Sequence, residues 1–574
     1  MLSLDFSRIY DDALENLALA WTTLLDFLNQ LRVGVNELCI GLEPWQVAAY
    51  TFGVTAVAIW IHAIFKSDQP TSQRIKKWAF TWLRRLPWVK MKIETELAKT
   101  RLQIDDMIHK ADTTREFYKY LPERGLKTEE LMEEVDKYWK MGHYDWRSGR
   151  ASGAVYYGDE NLVPIMTTVF QKFLYSNPLH PDLFPGIRKM EAEIVRMCCN
   201  MFNGSSNSCG TVSSGGTESI LLACLAYRNR AYSIGIMEPE MLVPVTAHAA
   251  FDKAGELFRI QVIHIPVDPH TYEVNLNKMK RAITSNTCLM VGSAPGFPHG
   301  IIDPISELSR LGLQYGVPVH VDACLGGFLI AFMEQAGYSM PLFDFRLPGV
   351  TSISCDTHKY GFATKGSSVV LYRNENLRRY QYFSQPDWPG GIYATPTLGG
   401  SRCGSSIAAC WTAMLHFGRR GYVDSARSIV EVARWVARKL KEIEGLEVIG
   451  NPQICVVAFT SKKFNIYSFN DRMNERGWCL SPLQFPSAIH MAITARHIQP
   501  GVKEAFINDC SEVAHAMFDN PGDPNEGAAA LYCMSQSIPD RSLVSEITSM
   551  YLDACYATDP PMTHENEYEH EYED

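Results

Sequence analysis

Val317-Pro318-Val319-His320-Val321-Asp322-Ala323-Cys324-Leu325-Gly326-Gly327 reads as a short β-branched strand that ends directly in a carboxylate. Runs of the same kind flank it: Met241 to Val245, Val262 to Val267, Leu289 to Gly292, Val350 to Ser354 and Ser368 to Tyr372. They alternate with helix-length amphipathic segments such as Ser219 to Tyr232, and that alternation predicts an α/β fold with a largely parallel sheet and crossover helices. At the C-terminal end of a parallel strand, Asp322 would face the ligand crevice of an open sheet. Its alternative is to cap the segment that follows.

Two further segments carry chemistry. Ser354-Cys355-Asp356-Thr357-His358-Lys359-Tyr360 again closes an apolar strand, and Lys359 follows Asp322 by 37 residues. A lysine held in a crevice loses its proton readily and forms a Schiff base with a carbonyl cofactor, whereas an exposed lysine does neither. Ser214-Gly215-Gly216-Thr217 precedes Glu218-Ser219 and an apolar helix. Its glycines, hydroxyls and free helix N–H groups would make a phosphate cup, although such loops also cap helices without any ligand. Neither nucleotide fingerprint, G-x-x-x-x-G-K-[ST] or G-x-G-x-x-G after a strand, occurs in this region. A cup, a carboxylate for a pyridinium nitrogen and a Schiff-base lysine together are what pyridoxal phosphate requires of its protein.

The 574 residues exceed one ordinary domain several-fold, and 54 basic against 64 acidic residues argue against a nucleic-acid-binding surface. The 15 cysteines form no C-x-x-C pair, so neither a zinc ribbon nor a dithiol site is expected, and no metal. Cys209, Cys224, Cys288 and Cys324 lie in apolar or Gly-rich runs that suit buried thiols in a reducing compartment.

From Trp45 to Phe65 no Asp, Glu, Lys or Arg occurs. As a helix that stretch would span about 30 Å, the thickness of a bilayer core. Only Arg8 and Arg32 are basic in residues 1–43, whereas Lys66, Arg74, Lys76, Lys77, Arg84, Arg85, Lys90 and Lys92 follow the apolar run. The positive-inside rule then puts the N-terminus in the lumen and the long C-terminal part in the cytosol. A cleaved signal peptide is not expected, because no basic n-region precedes the run and no cleavage site follows it. The alternative is a buried core helix. Residues 16–31 read as an amphipathic helix, and the terminal His-Glu-Asn-Glu-Tyr-Glu-His-Glu-Tyr-Glu-Asp as a disordered acidic tail.

The order of the cup, His248 in Ala247-His248-Ala249-Ala250-Phe251, then His-Val-Asp-Ala and Thr-His-Lys resembles the fold-type I pyridoxal-phosphate enzymes, in the group of glutamate and aromatic amino-acid decarboxylases. Arg150 to Tyr156, Ser176-Asn177-Pro178-Leu179-His180-Pro181-Asp182, Asp322 to Phe328 and Gly390-Gly391-Ile392-Tyr393 narrow the resemblance to the sphingosine-1-phosphate lyase family. It runs from the apolar segment to about residue 560 and leaves out the tail. The resemblance implies a seven-stranded, mostly parallel sheet in a large domain, followed by a smaller α+β domain. The implied divisions are a lumenal segment 1–43, a transmembrane helix 44–65, a basic linker 66–110, a pyridoxal-phosphate domain 111–405, a small domain 406–560 and a tail 561–574.

By the same resemblance His248 stacks on the cofactor ring, Asp322 pairs with its nitrogen, Lys359 carries it, and Ser214, Gly215, Gly216, Thr217, Ser354 and His358 complete its site. It implies cleavage of phosphorylated sphingoid bases to a long-chain aldehyde and phosphoethanolamine, at the endoplasmic reticulum membrane, by a homodimer with Gly399 to Gly404 as the crossing loop. Lys359, Tyr156, His180 and His358 are candidates for proton transfer. The substrate's own phosphate needs a second anion site, for which Lys365 and Arg402 are the candidate bases and Tyr156, Asn177 and His180 the hydrogen-bonding partners. Each base has a structural ion pair as its alternative. A membrane-anchored amino-acid decarboxylase and a non-catalytic scaffold are the competing functions.

Overall fold

The computed structural model describes residues 21–23, 25–30, 32–37, 39–65 (with side chains to Ile59), 84–112, 116–142, 144–158, 160–521 and 541–559. The expected basic residues Lys66, Arg74, Lys76 and Lys77, the acidic tail and the first 20 positions of the predicted lumenal segment lie outside them. The chain divides into two compact units, Met1–Lys90 and Met91–Asp574.

In the first unit, a helix runs from Pro44 to Phe65, over the predicted span. Trp45, Tyr50, Phe52, Val54, Val57 and Ile59 are all exposed on it, so its apolar side chains cover the helix all round rather than one stripe. Among the described residues no helix is long and apolar enough to cross a membrane.

The second unit is built on a seven-stranded sheet. Its strands are β1 (Cys209–Ser213), β2 (Glu240–Pro244), β3 (Gln261–Ile265), β4 (Thr287–Ser293), β5 (Val319–Asp322), β6 (Val350–Cys355) and β7 (Ser368–Tyr372), in the spatial order β1-β7-β6-β5-β4-β2-β3. The neighbours from β6 to β3 are parallel; β7 runs antiparallel to both β6 and β1. The sheet is therefore mixed: six strands run the same way, as the mostly parallel sheet expected from the sequence requires, and β7 alone is reversed. Residues 356–367, between β6 and β7, contain no helix that could carry a crossover, and a short connection of this kind returns the chain antiparallel.

Both faces of the sheet are covered, which is why its strands read as continuous apolar runs. Leu242, Met290, Val319, Val321, Val369 and Leu371 enter one core cluster, shared with the long helical stretch Gly404–Leu440, which is kinked at Gly418. Their strand neighbours Met241, Val243, Leu289, Val291, Val370 and Tyr372 enter the other, packed by the helices Gly216–Ser233 and Ala250–Phe258. The alternation is the period-2 geometry of a strand read through two faces.

A two-stranded hairpin follows, β8 (Phe383–Gln385) and β9 (Tyr393–Thr395). Beyond the long helix, β10 (Glu447–Val448), β11 (Val456–Thr460), β12 (Ser481–Leu483) and β13 (Ala488–Ala492) form an antiparallel sheet in the order β10-β11-β13-β12. All described cysteines are free; Cys224, Cys288 and Cys324 are buried, while Cys209 is half-buried.

Candidate active site

The C-terminal ends of β5 and β6 lie side by side, with Asp322 in register with Ser354. Asp322 is buried, and its Oδ1 accepts the backbone N–H of Cys324 at 3.0 Å and the Ser354 hydroxyl at 3.3 Å. Behind it runs a buried polar ladder. The Tyr227 hydroxyl donates to Ser352 Oγ at 2.7 Å, Ser352 Oγ lies 2.7 Å from His320 Nδ1, and His320 Nε2 lies 3.1 Å from Ser354 Oγ. Burial pushes His320 down to about 4, so the ring is neutral at physiological pH and orients Ser354 without adding charge beside Asp322. Ser354 thus reaches the site through Asp322 and is itself fully buried.

The cup is held from below by serines. Ser213 Oγ and Ser219 Oγ lie 2.7 Å apart, Ser219 and Ser368 2.8 Å, and the Ser368 hydroxyl donates to the Cys355 carbonyl at 3.0 Å. This chain ties the start of the helix Gly216–Ser233 to β7 and the end of β6. Ser214 donates both its N–H and its hydroxyl to Glu218 Oε2 at 2.7 Å, while Thr217 stays exposed. A Cβ on Gly216 would come within 2.7 Å of both Asp356 oxygens, and one on Gly215 within 3.6 Å of His358 Cε1. The cup's floor has no room for a side chain at Gly216.

Lys359 lies on the turn after β6, largely buried, with Nζ 2.8 Å from Asp356 Oδ2. Burial opposes its charge, but the Asp356 carboxylate overrides that and holds its pKa above the ordinary lysine value. His358 accepts the Ser367 N–H through Nδ1 at 3.3 Å, and burial lowers its pKa. His248 stands just before the helix Ala250–Phe258, exposed, with Nδ1 accepting the Ala250 N–H at 3.1 Å.

Tyr156, His358, Lys359 and Lys365 line one cavity of about 520 Å³, walled on the other side by Leu162, Val163, Met166, Phe170 and Phe362. Lys365 Nζ lies over the Tyr156 ring, and burial followed by repulsion from Lys359 lowers its pKa. Burial pushes the Tyr156 phenol up to about 12. The cavity lining does not include Asn177, His180 or Arg402. Asn177 instead braces a loop: its Nδ2 donates to Ser401 Oγ at 3.0 Å and its Oδ1 accepts the N–H groups of Leu179 and Arg402. His180 is exposed. Arg402 is paired bidentately with Glu191, one of the two contacts measuring 3.0 Å, and is mostly buried. Asp356 was not among the sequence candidates; its spacing of three residues from Lys359, one turn of chain, was the signal for it.

A glycine-floored cup at a helix start, a buried carboxylate at a strand end, an exposed imidazole and a buried lysine fit pyridoxal phosphate. They define the chain as a fold-type I enzyme of that cofactor. The pyridoxal-dependent decarboxylase conserved domain matches residues 112–462. The chain is 47% identical over 535 residues to sphingosine-1-phosphate lyase of Drosophila melanogaster, covering 93% of this chain and 98% of that protein. It is 46% identical to sphingosine-1-phosphate lyase 1 of Rattus norvegicus, with 92% of each covered. The solved structure of the Burkholderia pseudomallei sphingosine-1-phosphate lyase superposes with a TM-score of 0.70 at 40% identity, covering 77% of this chain and 97% of that one. This chain belongs to the sphingosine-1-phosphate lyase family.

Proposed function

We propose that the chain is a carbon–carbon lyase that cleaves phosphorylated sphingoid bases to a long-chain aldehyde and phosphoethanolamine. The observation that carries this reading is the second cation, Lys365, in the cavity of Lys359: an anionic group on the substrate has a partner there apart from the cofactor cup. The apolar wall of Leu162, Val163, Met166 and Phe170 suits a hydrocarbon chain.

Pyridoxal phosphate supplies an aldehyde that condenses with amines and a ring that takes up the electron pair of a broken bond. Ser214, Gly215, Gly216 and Thr217 would hold its phosphate at the helix N-terminus, with His358 beside them. His248 would cover one face of the ring and Asp322, held in place by its two donors, would face its nitrogen. Lys359 would hold the cofactor's aldehyde carbon and is the group the substrate's amine would replace. Breaking the C2–C3 bond requires loss of the C3 hydroxyl proton and gain of a proton at C2; on the cavity wall His358, its pKa lowered by burial, suits the first, the Lys359 ammonium suits the second, and Tyr156, protonated at neutral pH, is a hydrogen-bond donor. Lys365 holds the substrate phosphate. Arg402, bound to Glu191, braces the loop that Asn177 also holds.

Three finer parts of the reading go with it. The helix Pro44–Phe65, with its exposed aromatic and branched side chains, anchors the chain in the endoplasmic reticulum membrane, N-terminus lumenal and catalytic part cytosolic. The chain works as a homodimer, for which the exposed Phe383, Trp388 and Ile392 of the β8–β9 hairpin offer an apolar surface. Its partners are the phosphorylated base and the bilayer.

The test is incubation of the solubilised holoenzyme with a phosphorylated sphingoid base. Aldehyde release that disappears in Lys359→Ala is expected. Carbon dioxide from an amino acid, with no aldehyde, would replace this reading by the decarboxylase. Light scattering that shows a monomer would remove the dimer, and a chain that stays in the soluble fraction of lysed cells would remove the anchor.

A further inference from the structure

We infer that Asp356 is a positioning residue that receives the Lys359 amine as an ammonium ion whenever the lysine is not covalently engaged. The inference takes from the proposed function only that Lys359 is the cofactor lysine.

Asp356 is the first residue past β6, 2% exposed. The turn it opens brings Lys359 back over it, with the Lys359 N–H facing the Asp356 carbonyl at 3.4 Å and Nζ at 2.8 Å from Oδ2. Oδ1 has no hydrogen-bond partner, and His358 Nε2 stands off at 3.7 Å. A buried carboxylate with so little support is costly unless a full charge compensates it, and Lys359 supplies that charge. The space is reserved on the opposite side too, because any Cβ at Gly216 would strike both carboxylate oxygens.

The other groups around Lys359 leave Asp356 as its counter-charge. Tyr156 and Cys455 are each pushed up to about 12 by burial, and Cys324 is raised well beyond its usual range, so all three are neutral near pH 7. Lys365 and His358 face it without adding negative charge. Asp322 is committed to the Cys324 N–H and Ser354.

In the exchange that admits substrate, one carbon–nitrogen double bond replaces another. The three hydrogens of the incoming ammonium end on the Lys359 nitrogen, and the positive charge travels with them to a position 2.8 Å from Asp356. The same pairing slows first loading of the cofactor, since an ammonium is not a nucleophile.

The experiment is pulsed reductive methylation of Lys359, read by mass spectrometry, on full-length chain stripped of cofactor. In the unmodified protein the labelling rate should climb about tenfold per pH unit from pH 7 to 9.5 without levelling, as for an amine titrating above that range. Levelling below pH 9 would overturn the inference even if no variant folds. In Asp356→Asn, where burial is no longer opposed by the carboxylate, the curve should level inside that range, and with saturating cofactor kcat should fall tenfold or more while KM stays within twofold. An unchanged labelling curve in a folded Asp356→Asn chain, or a change in KM alone, would also overturn it. The labelling arm involves no substrate, so it stands or falls apart from the lyase reading.

Discussion

Lys365 Nζ sits 4.8 Å from the centroid of the Tyr156 ring, and both side chains open onto the cavity that holds Lys359. The aromatic face steadies a half-buried ammonium whose pKa burial and Lys359 both lower. Lys365→Ala should raise KM for the phosphorylated base by about 10- to 100-fold, the worth of a charge-assisted hydrogen bond of roughly 1.5–3 kcal/mol. The cofactor's absorbance should not change. Steady-state kinetics beside a cofactor titration measure both; equal loss of cofactor and substrate binding would move Lys365 out of the substrate site.

Arg402 and Glu191 form a mostly buried pair, with side-chain exposures of 15% and 17%. Removing one partner leaves the other charge without compensation, so Arg402→Ala and Glu191→Ala should each destabilise the fold by about 2–4 kcal/mol, somewhat below the cost for a fully buried pair. The double substitution should cost less than the sum of the two. Urea unfolding of the three variants completes the cycle, and strict additivity would show the pair to be uncoupled.

Gly216→Ala pushes a methyl to within 2.7 Å of the Asp356 carboxylate, whereas Gly215→Ala meets only His358 Cε1 at 3.6 Å, an ordinary contact. Overpacking of this kind costs about 1–3 kcal/mol. The cofactor-free Gly216→Ala chain should unfold at lower denaturant than Gly215→Ala, which should lie near the parent. Matching midpoints for the two would contradict the crowding at Gly216.

Burial holds His299, His320, His490 and His497 down to about 4, against 6.5 for a free imidazole. Between those values the unfolded chain binds protons that the folded chain refuses, so stability is full above pH 6.5 and falls as pH drops toward 4. Asp303, raised by burial from 3.8 to about 6, works the other way over its own window, favouring the fold as pH falls from 6 to 3.8. Four groups against one leave a net loss on acidification. Tm measured at pH 7.5, 6 and 5 should decline at each step; a Tm that rises toward pH 5 would reverse the sign.

Sheet membership was legible where apolar runs are continuous. Ser368 to Tyr372 is read from sequence with the same ends the structure shows, and Val350 to Ser354 lacks one residue. β1 escaped, because Cys-Gly-Thr-Val-Ser lacks an apolar run and a loop and a strand of that composition look alike; its strand identity comes from pairing with β7. Arg402 shows the limit at the site. Its charge and its glycine-rich surroundings are readable, but Glu191, 211 positions away, is not visible as its partner until the chain folds.

The sequence by itself determined the chemistry available: a strand ending in Asp322, a lysine after the next, a glycine cup and the resemblance that joins them. Those are local patterns, set by periodicity and by which side chains a turn tolerates. Only the tertiary structure decided that Lys365 shares a cavity with Lys359, that Arg402 is taken by Glu191, and that Asp356 is the counter-charge to Lys359 rather than a spare acid in a turn. Electrostatic partners are chosen by distance and by the exclusion of water, and both are properties of the packed chain.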